Sequence, residues 1–220
     1  FIPDIQRVLG KLPSERQTLF FSATMMPKMV QLAHTMVTNP VRVAIAPDQP
    51  TLKSITQTVL FVAQKDKDAL LVSLLNELPV GKALIFTQMK HMANRVAQTM
   101  EKAGIRCTAI HGNKTQAART RALDGFKRGR FQVLVATDVA ARGLDVDDIT
   151  HVINYDLPME AETYVHRIGR TARAGSGGNA ISFCSAEDRA LLRSIECLLG
   201  QPVPAEMEHP FHCERAFHSS

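Results

Sequence analysis

Three arginines recur at every third position in one short segment, HRIGRTARAG at residues 166–175. Arg167, Arg170 and Arg173 would lie close together on a helix or a tight turn, where like charges repel one another. An anion bound at this segment would offset that repulsion. The spacing therefore predicts a site for an anionic ligand, unless neighbouring acids already pair with the arginines.

The elements that would position these arginines alternate between apolar strands and amphipathic helices. Strands are predicted at 57–63, 82–87, 106–111, 132–137, 150–156 and 179–185, and helices at 68–78, 92–104, 115–129 and 185–200. The last helix opens with a capping box, Ser185-x-x-Asp188, and closes at Gly200. Apolar strands separated by amphipathic helices are typical of a parallel sheet covered on both faces, so we predict an α/β fold.

Ligands bind such sheets at the carboxyl ends of the strands. The segments IHGNK, ATDVAARGLD and NYDLP each follow a predicted strand or continue from its end. The sequence therefore places a candidate site at this edge of the sheet.

The composition is that of a globular protein with one good-sized domain, at 220 residues, 45% hydrophobic and 21% charged. A net charge of +5 leans toward an anionic partner without requiring one. The four cysteines form no C-x-x-C pair and no zinc-like spacing with histidine, which predicts no metal site and a reducing, cytoplasmic location. Neither a membrane-length apolar run nor a signal peptide is found, so no membrane association is expected.

Residues 1–45 have a different organisation. We predict a helix over IPDIQRVLGKL, a buried strand over TLFFSA, a helix over PKMVQLAHTMV and a strand over VRVAI. These elements bury too little surface for a core of their own, so the segment is expected to be the end of a preceding domain and to associate with the lobe or with another copy through its apolar runs. A linker over 46–55, a lobe over 56–198 and an irregular, loosely packed tail over 199–220 complete the predicted organisation.

The order and spacing of six motifs resemble those of DEAD-box RNA helicases. They are SAT (22–24), ALIFT (83–87), HGNKTQAAR (111–119), ATDVAARGLD (136–145), YDLP (155–158) and HRIGRTARAG (166–175). The phosphate-binding loop G-x-x-x-x-G-K-[ST] and the D-E-A-D acids are not found in this sequence. Over residues 1–198 the chain therefore resembles the second RecA-like lobe with a remnant of the first, and by its tail it looks like the bacterial RhlE-type members.

The resemblance implies an ATP-dependent RNA helicase that locally unwinds duplexes, with ATP and Mg²⁺ held mainly by the missing N-terminal lobe. Arg170 and Arg173 match the family's finger positions, and a planar, bidentate guanidinium suits the charge of a transferring phosphoryl group. Asp145 would bind the ATP ribose, and Gly143 would permit a tight turn beside the nucleotide. The isolated chain is expected to be inactive.

The same resemblance implies contacts to the RNA backbone and between the lobes. The matching RNA-binding positions are Gly112, Gln116, Arg119 and Thr137. Those for interlobe coupling are Ser22, Thr24, His166 and Arg167. RNA and the N-terminal lobe are thus the expected partners. Ala172 stands where the family usually has glycine.

Other interpretations remain open at this level. The arginines would form a purely structural ion network if they paired with Asp145, Asp147, Asp148 and Glu162. The basic run Arg119, Arg121, Lys127, Arg128 and Arg130 would be a solvated helix face. The whole chain would be a stand-alone RNA- or protein-binding lobe without ATP turnover. A dinucleotide-binding fold is set aside because G-x-G-x-x-G is not found.

Overall fold

The computed structural model of the chain describes residues 2–22, 25, 27–44, 54–77, 80–173 and 177–219. The chain divides into two compact units, Phe1–Pro47 and Asp48–Ser220. Most of the predicted linker over 46–55 lies outside the described residues; Ser54 and Ile55 are described.

The first unit contains helices α1 (Ile2–Leu9) and α2 (Pro27–His34), as predicted. The predicted strands over TLFFSA and VRVAI are wrong for their described residues, 18–22 and 41–44. Phe21 is 87% exposed and Val41 is 91% exposed. A strand needs a neighbour to satisfy its N–H and C=O groups, and the described part of this unit offers none.

The second unit is built on a seven-stranded parallel sheet. The strands are β1 (Ile55–Phe61), β2 (Ala83–Phe86), β3 (Cys107–Ile110), β4 (Val133–Ala136), β5 (His151–Asn154), β6 (Gly178–Cys184) and β7 (Ala205–Glu206), in the spatial order β3-β4-β2-β5-β6-β1-β7. Every recorded strand pair is parallel, and β1 pairs with β6 over its full length. The six predicted strands are confirmed, and β7 is an addition.

Helices cover both faces of this sheet. They are α3 (Lys67–Glu77), α4 (Lys90–Lys102), α5 (Gln116–Lys127), α6 (Asp138–Ala141), α7 (Ala161–Ile168), α8 (Arg189–Leu199) and α9 (Glu214–His218). Alternate residues of β2 enter different cores: Ile85 joins one buried cluster, and Leu84 and Phe86 join another. The predicted two-sided α/β fold is therefore confirmed. Among the described residues, no helix has the length and apolar character needed to cross a membrane.

The end of the chain differs from the prediction of a loosely packed tail. The predicted capping box at Ser185 and Asp188 is present, and Gly200 ends α8 with a φ of +70°. Beyond it, β7 pairs with β1, and the Phe217 ring meets the Phe61 ring edge-on at 5.2 Å between centroids. A two-residue strand and a five-residue helix are too short to show a hydrophobic period, so the sequence did not reveal them.

Candidate functional site

The carboxyl ends of four neighbouring strands form one edge of the sheet. In the spatial order β3, β4, β2 and β5, the strands are followed by His111 and Gly112, Thr137 and Asp138, Thr87 and Gln88, and Tyr155 and Asp156. The structure thus brings the ends of the predicted motifs to one edge, where ligands of parallel sheets bind.

His111 shapes the loop that carries Gly112. The buried imidazole pairs through Nε2 with Asn94 Oδ1 at 2.9 Å, and the Asn113 N–H donates to Nδ1 at 3.3 Å. Because Nδ1 accepts this bond, the ring is neutral and Nε2 is its donor. Burial, with the charges of Lys114 and Lys90, lowers the pKa of His111 below its ordinary value. The loop conformation therefore depends on a neutral histidine.

Gly112, on this loop, faces open space, and two further predicted RNA contacts lie on the first turn of α5. A Cβ added at Gly112 would meet no atom within 4 Å, so the protein itself does not require glycine there. Arg119, on the first turn of α5, donates from Nη1 to Gln116 Oε1 at 3.4 Å. Its Nε is buried without a hydrogen-bond partner in the described structure. The structure therefore leaves open space beside Gly112, and one buried donor of Arg119 without a partner.

Thr137 occupies the N-cap position of α6 without capping it. Its side chain is buried at 9% exposure and makes no cap hydrogen bond, whereas its carbonyl accepts from Ala140 and Ala141 at 3.0 Å. At α5, by contrast, the Thr115 hydroxyl accepts from Ala118 N at 3.2 Å. The Thr137 hydroxyl therefore does not cap α6.

Arg167 is buried inside the lobe, where protein acceptors surround it. Its side chain is 1% exposed, and Nε and Nη2 donate to the two carboxylate oxygens of Asp138 at 2.6 and 2.8 Å. Nη1 donates to Asn154 Oδ1 at 3.1 Å and to the Asp156 carbonyl at 2.7 Å. The guanidinium also lies 4.9 Å from the centroid of the Phe86 ring.

This geometry contradicts the expectation that all three arginines share one anion. Arg167 points inward and pairs with Asp138, which is not among the four acids considered for a structural network. Asp138 stands directly after Thr137 in the ATDVAARGLD motif, so the signal was available in the sequence. Arg167 links α7 to the end of β4 beside Thr137.

Lys67 extends the same buried polar system and was not among the residues predicted from the sequence. Its ammonium is 1% exposed and lies 3.0 Å from Asp188 Oδ2 and 3.8 Å from Asp156 Oδ1. Burial alone would raise the pKa of Asp188, but the charge of Lys67 and hydrogen bonds from Ser185 outweigh it and lower that pKa. The carboxylates following β5 and β6 are thus held together by one buried cation.

Arg170 lies beyond the end of α7 with few protein acceptors. The half-buried guanidinium donates from Nη1 to the Leu144 carbonyl at 3.2 Å. Burial, together with the neighbouring positive charge of Arg173, lowers its pKa. A lowered pKa means that the surroundings disfavour the charged guanidinium. A bound anion would stabilise that charge.

Arg173 contacts the nucleotide-binding candidates directly. Its Nη1 lies 3.5 Å from Asp145 Oδ1, and its Nε donates to the Gly169 carbonyl at 3.4 Å. The Asp145 side chain is 83% exposed. Gly143 has a φ of +75°, a conformation that favours glycine. One pair of the structural-network alternative is therefore present, and it brings together two residues predicted to bind ATP.

The turn that carries these arginines is tightly built. Ala172 has a φ of +55°, which explains the glycine expected there from the family resemblance. A Cβ at Gly178 would lie 2.3 Å from Thr171 Oγ1, and Thr171 Oγ1 itself donates to the Ile149 carbonyl at 2.5 Å. The turn packs closely against β6, which fixes the position of the backbone at Arg170.

The remaining predicted positions are exposed, belong to the first unit or are undescribed. His166 is exposed on α7, Ser22 belongs to the first unit, and Thr24 lies outside the described residues. Among the described residues, no group of three His, Cys, Asp or Glu side chains could hold a metal ion. In the basic run, Arg119 lies on the first turn of α5, whereas Arg128 and Arg130 lie beyond its end, about 12 Å or more away along the helix.

Comparison with known proteins places this geometry in a family. Residues 66–175 match the helicase conserved C-terminal domain. ATP-dependent rRNA helicase RRP3 of Kluyveromyces lactis is 42% identical over 207 residues, which are 94% of this chain and 42% of that protein. DEAD-box ATP-dependent RNA helicase CshA of Bacillus subtilis is 43% identical over 196 residues, 89% of this chain and 40% of that protein. The chain thus spans less than half the length of these curated relatives.

Solved structures show the same likeness. E. coli DEAD-box protein SrmB, bound to regulator of ribonuclease activity A, has a TM-score of 0.69 and 38% identity, covering 73% of this chain and 95% of that one. S. cerevisiae Dbp5, bound to RNA and ADP BeF3, has a TM-score of 0.80 and 31% identity, covering 92% of this chain and 55% of that one.

Proposed function

The chain belongs to the DEAD-box RNA helicases as their C-terminal, RecA-like domain, and on that premise we propose that its parent protein unwinds short RNA duplexes at the expense of ATP. An N-terminal lobe holds most of the ATP and the Mg²⁺ ion. This chain supplies arginines to the phosphates and contacts to the RNA backbone. The assignment to the RhlE-type branch stays a prediction.

The contrast between Arg167 and Arg170 carries the proposal. The Arg167 guanidinium donates hydrogen bonds to three protein residues. The Arg170 guanidinium donates one bond of 3.2 Å, to a carbonyl, and its pKa is lowered. A phosphoryl group reaching Arg170 would relieve its repulsion with Arg173 and accept parallel bonds from the guanidinium. Arginines aimed in this way at transferring phosphates stabilise the charge of the transition state.

Three features support an RNA-backbone surface at the ends of β3 and β4. Gly112 leaves room beside the loop, Arg119 has an unsatisfied Nε, and the Thr137 hydroxyl is not used as a cap. These groups suit phosphates and 2′-hydroxyls rather than base edges, so binding is largely independent of sequence.

Arg167 suits a coupling role because it joins the two parts of the site. Its bonds to Asp138 fix α7, which leads to Arg170, against the strand end that carries Thr137. A displacement of Thr137 by bound RNA would therefore be transmitted to the turn carrying Arg170 and Arg173 through the Arg167–Asp138 ion pair. Ser22, Thr24 and His166 complete the proposed coupling set by family resemblance.

Single-turnover ATP hydrolysis by the complete two-lobe protein tests the proposal. Arg170→Lys keeps the charge but loses the planar fork, so we expect about a 10³-fold slower chemical step with a much smaller change in ATP affinity. Arg193→Lys, at an exposed position of α8, is the matched control. An unchanged hydrolysis rate in Arg170→Lys would refute the assignment.

The isolated chain provides a second test against the stand-alone alternative. We propose that it neither hydrolyses ATP nor unwinds duplexes, because the phosphate loop and the Mg²⁺-binding acids are not in its sequence. RNA-stimulated turnover that disappears in Arg170→Lys would contradict this. We also propose a cytoplasmic location, on the four free cysteines.

A further inference from the structure

The edge of the sheet opposite the candidate site carries an open, shallow depression with a volume of about 540 Å³. It lies where β3 and β4 begin, whereas Gly112 and Thr137 follow the ends of the same strands, about 13 Å away for four residues of strand. The half-buried Ile105 and Phe131 give it an apolar floor. We name this surface the amino-edge groove.

Two helix ends make the groove rigid. Both α4 and α5 close with a left-handed glycine, Gly104 at φ +81° and Gly129 at φ +73°. The next N–H bonds back to the carbonyl five positions earlier, at 3.0 Å from Ile105 and 2.8 Å from Arg130, as in a Schellman motif. Arg106 Nη1 donates to the Gly129 carbonyl at 3.3 Å and ties the two helix ends together. Internal hydrogen bonds therefore hold the backbone on both sides of the groove.

The rim of the groove is basic. Residues 101–106 and 124–131, which form the two helix ends, contain five basic and two acidic side chains. The basic ones are Lys102, Arg106, Lys127, Arg128 and Arg130, all of them exposed, and the acidic ones are Glu101 and Asp124. An apolar floor within a cationic rim complements an acidic segment with a large apolar side chain.

The aromatic ring in the floor argues for protein rather than RNA. Phe131 packs so closely on Gly125 that a Cβ there would lie 2.6 Å from the ring, and the Arg130 guanidinium lies 5.6 Å from its centroid on the surface. Single-stranded nucleic acid binds by stacking bases on open aromatic faces. The Arg130 guanidinium lies over the ring and obstructs such stacking on that face, and Gly125 packs against the ring edge. An apolar side chain can still pack beside Ile105.

We propose that the amino-edge groove docks a short acidic segment of a partner protein through one large apolar side chain. Because the groove and the RNA-facing edge are at opposite ends of the strands, such a partner would hold the lobe without covering the site. The inference is independent of the proposed ATP chemistry.

Peptide display on the full 220-residue chain tests this proposal. Short random peptides are selected on the chain and counter-selected on its Arg106→Glu/Arg130→Glu variant. We expect the selected peptides to combine Asp or Glu with Phe, Leu or Met. A synthetic peptide of the selected sequence should shift the amide resonances of residues 101–107 and 128–131 and leave those of Gly112 and Thr137 unchanged.

Affinity measurements on that synthetic peptide complete the test. By fluorescence anisotropy, Arg130→Glu should weaken binding about tenfold, the milder Arg130→Ala should weaken it less, and Arg193→Glu should have no effect. Circular dichroism confirms that each variant is folded. Selected peptides without acidic residues, equal affinity for Arg130→Glu, or displacement of the peptide by poly(U) RNA would each overturn the proposal, the last in favour of an RNA surface.

Discussion

Replacing Arg167 with lysine should destabilise the lobe far more than the same replacement at Arg170. Lysine keeps the positive charge but has a single nitrogen, which cannot serve both the Asp138 carboxylate and the oxygens of Asn154 and Asp156. If the ammonium stays with Asp138, two buried acceptors at 3.1 and 2.7 Å lose their donor. The guanidinium contact with Phe86 is also lost.

The magnitude follows from these losses. Each buried acceptor without a donor costs about 1–3 kcal/mol, and the cation–π contact contributes about 0.5–2 kcal/mol. Complete rupture of a buried ion pair costs about 3–5 kcal/mol, and lysine preserves part of it. We therefore expect Arg167→Lys to lower the free energy of unfolding by about 3 kcal/mol. Arg170→Lys loses one half-buried bond to a carbonyl and should cost less than about 1 kcal/mol.

Urea unfolding followed by far-UV circular dichroism measures both values, since the chain has no tryptophan for fluorescence. Equal slopes of unfolding free energy against urea would show that the variants differ in stability rather than in denatured-state compactness. Arg193→Lys serves as the exposed control. If Arg167→Lys stayed within about 0.5 kcal/mol of the parent sequence, the buried network would not be a stabilising element.

Gly112→Ala should change the unfolding free energy by less than about 0.5 kcal/mol, because its Cβ has open space, yet lower RNA affinity measured by anisotropy; unchanged affinity would remove Gly112 from the RNA surface. Gly178→Ala should cost about 2–3 kcal/mol in urea unfolding, since its Cβ overlaps Thr171, and a loss below about 0.5 kcal/mol would mean that the turn readily moves away. Below about pH 6.5, His111 binds a proton more readily in the unfolded chain than in the folded one, because its pKa is lowered in the fold. The free energy of unfolding should therefore decline more steeply with falling pH than in His111→Gln, and identical pH profiles would exclude this contribution. Deleting residues 1–45 should leave a cooperative thermal transition and a more soluble protein, and a non-cooperative transition would make that segment part of the core.

The parts of the fold that depend on local pattern could be predicted from the sequence. Strands buried on both faces are uninterrupted apolar runs, and the capping box at Ser185 is a local signal, so both were found. The described part of TLFFSA, residues 18–22, is similarly apolar but does not form a strand, because pairing depends on a neighbour rather than on composition. Hydrophobic pattern is thus necessary but not sufficient.

Predictions at the site failed where the arrangement of the strands, rather than the motif spacing, decides which residues pair. Arg173 pairs with Asp145, one of the acids considered, but Arg167 pairs with Asp138, 29 positions away, because the sheet order places β4 beside β2 and near α7. Ala172 was noted as unusual from the sequence, yet its left-handed backbone is visible only in the structure. Motif spacing identified the residue types, and the strand order determined which of them meet.

The short strand β7 has a consequence for how the lobe behaves in concentrated solution. It pairs with Val59 and Leu60, while Val62 bridges His212 and the Phe61 carbonyl accepts from Cys213 N at 2.9 Å. The end of the chain therefore occupies the outer side of β1, whose sequence ITQTVLF is rich in β-branched residues. Exposed edges of this kind recruit strands from other molecules and begin aggregation. We expect that truncating the chain after Gly200 would open that edge and make the lobe more prone to aggregate.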